Sequence, residues 1–184
     1  PKVSDYLTLV TTLLLAFVTA AASLALIGPE YLDRPPAAAP ALPVPGQLKI
    51  IQLNALRSNH DLARVARWVN AEQPNIVTIT EARHDLRDRI VRDTGWKLAG
   101  EMGNLMIFTP QVYRVMNRPD LPKGSPLTFV NATYDEPGGP VEVVTAHLGW
   151  PVDPRAPGQV RDLVSVVERL PRERMILTGD FNAA

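Results

Sequence analysis

Arg174-Met175-Ile176-Leu177-Thr178-Gly179-Asp180-Phe181-Asn182 is the stretch on which the reading of this chain turns. Met175–Thr178 is an apolar strand that runs into a glycine followed by an acid, an aromatic and an amide. A buried strand that delivers polar side chains at its carboxyl end is a common way to build a site on an α/β scaffold. Side chains two apart on an extended backbone share a face. Asp180 and Asn182 therefore address one ligand, while Phe181 turns away into packing.

Outward from that strand, strand and helix signals alternate. A helix carrying Val160, Leu163, Val164 and Val167 on one stripe precedes it. Before the helix, a Gly138-Gly139 turn is followed by Val141–Ala146, which leads into His147. Strand-like pieces lie at Trp96–Ala99, Leu105–Phe108, Gln111–Met116 and Leu127–Thr133. Leu86 and Ile90 support a helix near 83–93 that closes before Gly95. Ile76–Ile79 is a strand ending at Glu81. Asn59 is placed to cap a helix with Leu62, Val65, Ala66 and Val69 on one face, broken by Pro74-Asn75. Leu48–Leu53 is a short strand ending at Asn54. Residues 47–184 are thus expected to form one α/β domain.

The amino-terminal part is different. After a short flank, 1–6, residues 7–27 contain neither charge nor proline. As a helix they span roughly 32 Å, enough for a bilayer core. A secretory signal with Ala20-Ala21-Ala22 as its small residues and a buried core helix are the two alternatives. The apolar run is long for a signal and continues past the alanines, which favours a transmembrane helix. Residues 28–46, with prolines at 29, 35, 36, 40, 43 and 45, read as an extended Pro/Ala-rich linker. Lys2 and Arg34 lie on opposite sides of the apolar run, each beside an acid, so orientation stays open. The expected location is a single-pass membrane protein, with the tether leaning towards an extracytoplasmic domain.

Composition narrows the chemistry. The 184 residues carry 19 basic and 19 acidic side chains, and 47–184 alone carries 17 against 16. A protein gripping a long duplex by its phosphates usually shows a basic excess, so a small or singly contacted phosphate compound fits better. The absence of cysteine removes disulfides, thiolate metal sites and Cys nucleophiles together.

Four polar residues share one address. Asn54, Glu81, His147 and Asp180 each stand just past the carboxyl end of a strand, the rim where α/β proteins bind ligands. With Asn182 they supply two carboxylates, two amides and an imidazole, a set suited to a hard cation and a phosphate. A carboxylate with an amide neighbour and open water positions suits Mg²⁺. An imidazole can donate to a phosphate oxygen or shuttle a proton near neutral pH.

Leu48-Lys49-Ile50-Ile51-Gln52-Leu53-Asn54, Ile76-Val77-Thr78-Ile79-Thr80-Glu81, Val143-Val144-Thr145-Ala146-His147-Leu148 and Gly179-Asp180-Phe181-Asn182 together resemble the endonuclease/exonuclease/phosphatase family. The resemblance covers about 47–184. It implies a DNase I-like fold, a two-layer β-sandwich of mixed sheets flanked by helices. It implies metal-dependent hydrolysis of a phosphoester by in-line attack of water, with Mg²⁺ as the cofactor and Mn²⁺ as the alternative. Glu81 would be the principal metal ligand and Asn54 would help to bind metal or phosphate. His147 would hydrogen-bond the scissile phosphate. Asp180 would orient or deprotonate water, with Asn182 beside it. The substrate would be a small phosphodiester, a phospholipid or a nucleic acid, the membrane would be met through 7–27, and no protein partner is expected.

Three departures stand against the family pattern. Thr80 occupies the position before the metal-binding Glu where the family usually has Gln. The middle motif has only Glu101 and Asn104 as candidates. The late Asp-His motif has no counterpart before Ala184. With Pro1 at the other end, this leads to the expectation of a chain cut at both ends, a fold incomplete at its carboxyl terminus and a fragment with little turnover. A non-catalytic, membrane-anchored module binding phosphorylated ligands is the second reading, should the chain end naturally at Ala184.

Each residue also has a plainer reading. Asn54 could bond only its own backbone, Glu81 could pair with Arg83 or Arg87, and His147 could be a satisfied core histidine. Asp180 and Asn182 could shape a turn. His60 and His84, at helix beginnings, read as surface residues, and Trp150-Pro151 reads equally as a substrate-side loop or a packing corner.

Overall fold

The computed structural model describes residues 3–32, 47–111, 113–114, 120–171 and 173–182. They fall in two units, one within 1–42 and one within 43–184.

The first unit is a single helix, α1 (Val3–Leu32). Its window Thr8–Ala25, of mean hydropathy 2.0, is long and apolar enough to cross a membrane. Thr12 and Thr19 turn their hydroxyls back onto the carbonyls of Thr8 and Leu15, each at 2.9 Å, so these polar groups are satisfied inside the helix. The helix also runs through Gly28 and Pro29, where the sequence predicts extended linker. Pro29 lies in the last turn, so its missing amide removes a single ladder bond, and propagation from the run before it carries the helix on. Linker residues 33–46 lie outside the described residues.

The second unit is a sandwich of two four-stranded mixed sheets. The first sheet contains β1 (Ile50–Asn54), β2 (Ile76–Thr80), β3 (Lys97–Met102) and β4 (Leu105–Thr109), in the order β1-β2-β4-β3. The second contains β5 (Tyr113–Arg114), β6 (Thr128–Glu136), β7 (Gly139–His147) and β8 (Met175–Asp180), in sequence order. β1–β2 and β7–β8 are the parallel pairs. Parallel neighbours need a crossover, supplied by α2 (Leu62–Glu72) and α4 (Ala156–Arg169). α3 (His84–Thr94) joins β2 to β3 and ends at Gly95, in the left-handed region at φ 71°.

Period-two alternation sorts the strands' side chains into layers. Ile50, Ile76, Leu105 and Ile107 meet Val130, Ala132, Tyr134, Val143 and Ile176 between the sheets. Val77, Ile79, Met106 and Phe108 face the other way, onto Ala66, Val69, Leu86 and Ile90 of α2 and α3. Phe129, Val144 and Ala146 pack on Leu163 and Val166 of α4. Each of the buried Val, Leu, Ile, Met and Phe side chains contributes about 1.5–3 kcal/mol, so the sandwich rests on three apolar layers.

Of the strand read at Gln111–Met116, Tyr113–Arg114 pairs as β5, while 112 and 115–116 lie outside the described residues. One local expectation is corrected. The cap of α2 is Asp61, whose carboxylate accepts from Arg64 N at 3.1 Å, while Asn59 Oδ1 accepts from Asp61 N at 2.9 Å. Both residues are short and polar, and position decides: only Asp61 directly precedes the first helical turn.

Candidate metal and phosphate centre

The two parallel pairs bring four strand ends to one mouth of the sandwich. Asn54 stands in register with Thr80, and His147 with Asp180, while β8 packs over β1 and β2. Beneath them the inter-sheet layer turns from apolar to hydroxylic. Thr78 and Thr80 continue the face of Ile76, Thr145 that of Val143, and Thr178 that of Ile176. Thr178 Oγ1 bonds Thr78 Oγ1 across the sheets at 3.1 Å.

Glu81 leaves β2 in the left-handed region, at φ 53°, and Ala82 N anchors the turn on Asn104 O at 2.9 Å. The Glu81 carboxylate accepts from Asn54 Nδ2 at 3.1 Å and from the backbone N–H of Arg57 at 3.1 Å. The Asn54 hydrogen bond, then the Arg57 amide, hold its pKa below the usual value of 4.5; a nearby His147 charge helps, against burial and Asp180. Glu81 is therefore kept ionised, as a cation ligand must be.

Asp180 is held from three directions. Its Oδ2 accepts from Asn54 Nδ2 at 2.7 Å and its Oδ1 from Asn182 N at 3.1 Å, while its carbonyl accepts from Leu148 N at 2.9 Å. The strand reaches this position only because residue 179 is glycine. At φ 143°, a Cβ there would lie 1.9 Å from Ala146 O. Phe181 packs against the α4-side core, as its alternation predicts.

Asn54 has two jobs. Its Oδ1 accepts from Leu56 N at 2.9 Å, the plain backbone role. Its amide nitrogen bridges Glu81 and Asp180, a position that demands the NH₂ end because both neighbours are acceptors. Asn54 thus positions the two carboxylates, and in this arrangement its nitrogen, a donor, faces them. Asn182, at φ 44°, gives its Nδ2 to Leu148 O at 2.7 Å, tying the end of β8 to the segment after β7. His147 is half-buried, and its ring has no hydrogen-bond partner among the described residues, so the satisfied-core reading does not hold.

One ligand atom each from Glu81, His147 and Asp180 lie within 4.8 Å of one another. Adjacent ligands of a Mg²⁺-sized ion with bonds of about 2.1 Å stand about 3 Å apart, so the three side chains would close in on a bound ion. The donor set fits a divalent cation: two carboxylates held close by an amide, with an imidazole beside them. A cleft of about 380 Å³ opens on this cluster, lined by Gln52, Asn54 and Gly179–Asn182.

The plainer reading of Glu81 also fails, because its rival partners are engaged elsewhere. Arg83 forks onto Asp85, at 3.1 and 2.5 Å, and Arg87 bonds Asp88 and Glu101. Glu101, the middle-motif candidate, also meets His84 Nδ1 at 3.1 Å, so its carboxylate is tied to α3. His60 and His84 are exposed, as expected. The Arg57 contribution was invisible in the sequence because it is made by a backbone amide, for which no side-chain pattern exists. The threonine layer did leave a trace, in the alternation of Thr78 with Thr80.

The Endonuclease/Exonuclease/phosphatase family model matches residues 46–184. No curated protein sequence matches the chain significantly. Among solved structures, the human Nocturnin catalytic domain with bound sulfate anion is 16% identical, with a TM-score of 0.57 over 77% of this chain and 67% of that one. Humanized D. rerio TDP2 is 15% identical, with a TM-score of 0.56 over 74% of this chain and 63% of that one. An endonuclease/exonuclease/phosphatase from Beutenbergia cavernae is 17% identical, with a TM-score of 0.54 over 73% of this chain and 47% of that one. At these identities the likeness is one of fold, the DNase I-like sandwich described above. The chain spans about half to two thirds of the length of these three structures.

Proposed function

We propose a function from one premise: the chain belongs to the endonuclease/exonuclease/phosphatase family, whose model spans most of it. The reaction is hydrolysis of a phosphoester by water, assisted by a divalent cation. The observation that carries this reading is the cluster of Glu81, Asp180 and His147 at one mouth of the sandwich, with Asn54 bridging its two carboxylates.

Glu81 and Asp180 would hold the cation, with Mg²⁺ the first choice for a carboxylate-rich site and Mn²⁺ favoured should His147 ligate directly. When bound, the cation supplies neutralisation of phosphoryl charge and polarisation of the phosphorus. The chain's own groups do the remainder. Asp180, fixed by Asn54 and by the Asn182 amide, orients a water and accepts its proton as oxygen attacks in line. His147, whose ring has no hydrogen-bond partner among the described residues, donates to a phosphoryl oxygen as charge builds there. Asn182 keeps Leu148 and β8 together, so His147 and Asp180 hold their spacing. Helix α1 would tether this domain to a bilayer. Phosphodiesters of small molecules, phospholipids and nucleic acids all meet the same chemistry.

The test uses the full chain with bis-p-nitrophenyl phosphate, with and without Mg²⁺ or Mn²⁺, together with calorimetric titration of Mn²⁺. Glu81→Ala and Asp180→Ala are expected to abolish metal binding and, with it, whatever hydrolysis the wild type shows. Wild-type binding and turnover persisting in both variants would sink the assignment.

A further inference from the structure

We propose that the loop following His147 is a lipid-contacting tip, in which Trp150, Pro151 and Val152 enter the interface of a bilayer and hold the mouth of the site against it. The inference rests on the reading of α1 as a bilayer anchor.

Exposure is the first observation. Trp150 is 70% exposed and Val152 91%, with exposed Pro151 between them. The other two tryptophans are more covered: Trp68 is 42% exposed and Trp96 6%. Consecutive large apolar side chains in solvent on a short loop are costly to leave uncovered and mark a contact surface. Tryptophan beside an aliphatic residue is the pairing that suits the boundary between headgroups and acyl chains.

The tip is also rigidly held. Asp153 N closes a turn on Trp150 O at 2.8 Å, and Ala156 N bonds Asp153 O at 2.9 Å. Gly149 N bonds Gln159 Oε1 at 2.7 Å, and Gln159 Nε2 bonds Pro126 O at 3.1 Å. Arg155 grips the Asp153 carboxylate through Nε and Nη2, the latter at 2.7 Å. The apolar side chains are thus presented by a preformed turn, which lowers the ordering cost of contact. That turn begins two residues after Leu148, whose N–H and C=O are both bonded to the end of β8, at Asp180 and Asn182. Whatever covers the tip lies beside the site.

Charge and reach favour a bilayer over a polyanion. Arg155, the cation on the turn, is already paired with Asp153, and residues 47–184 carry 17 basic against 16 acidic side chains. That balance offers no overall basic excess to a nucleic acid's phosphates. Only residues 33–46 separate α1 from the described start of the domain, at most about 50 Å of extended chain. A bilayer holding α1 is therefore always within reach of the domain.

The test reconstitutes the full chain in vesicles of brominated phosphatidylcholine and reads tryptophan emission. Helix α1 contains no tryptophan, so quenching reports the domain alone. Quenching is expected in wild type and in Trp68→Phe, with loss in Trp150→Phe and reduction in Val152→Asp. Resistance to carbonate extraction with quenching unchanged in Trp150→Phe overturns the tip while leaving the anchor intact. Extraction by carbonate overturns the anchor and the tip with it. Emission of Trp150 that responds to a single-stranded oligonucleotide but not to bromolipid overturns the proposal in favour of base stacking.

Discussion

The side-chain nitrogen of Asn54, at the end of β1, donates to Asp180 Oδ2, at the end of β8, at 2.7 Å across the gap between the two sheets. The same nitrogen reaches Glu81 Oε1, so one amide relieves the repulsion of two carboxylates and sets their spacing. Asn54→Ala is expected to weaken Mn²⁺ binding by about 10–100-fold, the range for loss of a group that orients metal ligands. Asn54→Asp should lower the melting temperature without metal and enlarge the rise on adding Mg²⁺, because a third carboxylate then faces the pair. Calorimetry and melts with and without cation check both. Unchanged affinity in Asn54→Ala would show that the bridge plays no part in presenting the ligands.

Gly179 offers a sharper structural test. A Cβ there meets Ala146 O at 1.9 Å at a φ of 143°, whereas Gly95, at φ 71°, has nothing within 4 Å of its Cβ position. Gly95→Ala should cost about 1–2 kcal/mol, the ordinary left-handed penalty. Gly179→Ala should cost more than about 4 kcal/mol, because β7 and β8 must part to admit the methyl. Equal costs in urea unfolding of the two variants would contradict the close β7–β8 approach.

Much of this architecture was readable before any coordinates. The strand-end positions of Asn54, Glu81, His147 and Asp180 follow from short apolar runs, and alternation correctly placed Phe181 against the α4-side core. What escaped depended on groups the sequence does not distinguish. Arg57 acts on Glu81 through its backbone amide, which any residue but proline possesses. The α2 cap fell on Asp61 because helix entry geometry, set by the Asn59 turn, chose between two adequate caps. Asn54 was expected beside metal or phosphate. Its donor end faces the carboxylates because Asp180, 126 residues away in the chain, lies within its reach.

The turn that carries Trp150 should respond to acid. The Asp153 carboxyl is held at about 2, below its ordinary 3.8, first by the Arg155 side-chain hydrogen bonds and then by the Arg155 amide. A lowered folded-state pKa means that the stabilisation is complete above the unfolded value and is lost as pH falls through the folded one. The turn is therefore expected to hold above about pH 4 and to loosen between about pH 4 and 2. NMR titration of the Asp153 carboxyl, with amide exchange at Asp153 and Ala156, reads both. Arg155→Ala should move the titration towards 3.8; an unmoved midpoint would remove Arg155 as the cause.

The hydroxyl pair under the site makes a prediction whose sign depends on order. Thr178 Oγ1 has two acceptors, Thr78 Oγ1 at 3.1 Å and Val144 O at 3.2 Å. Thr78→Val leaves it the Val144 carbonyl, so the cost should stay below about 1 kcal/mol. Thr178→Val strips both contacts and leaves the fully buried Thr78 hydroxyl unpaired across the sheets, at about 1–3 kcal/mol. Replacing both by valine removes the orphan together with its partner, and the double variant should be more stable than Thr178→Val alone. Chemical denaturation of the three variants completes the cycle. Additive costs would mean that this hydroxyl pair does not join the two sheets, whose approach under the site would then rest on the apolar layer and the Asn54 bridge.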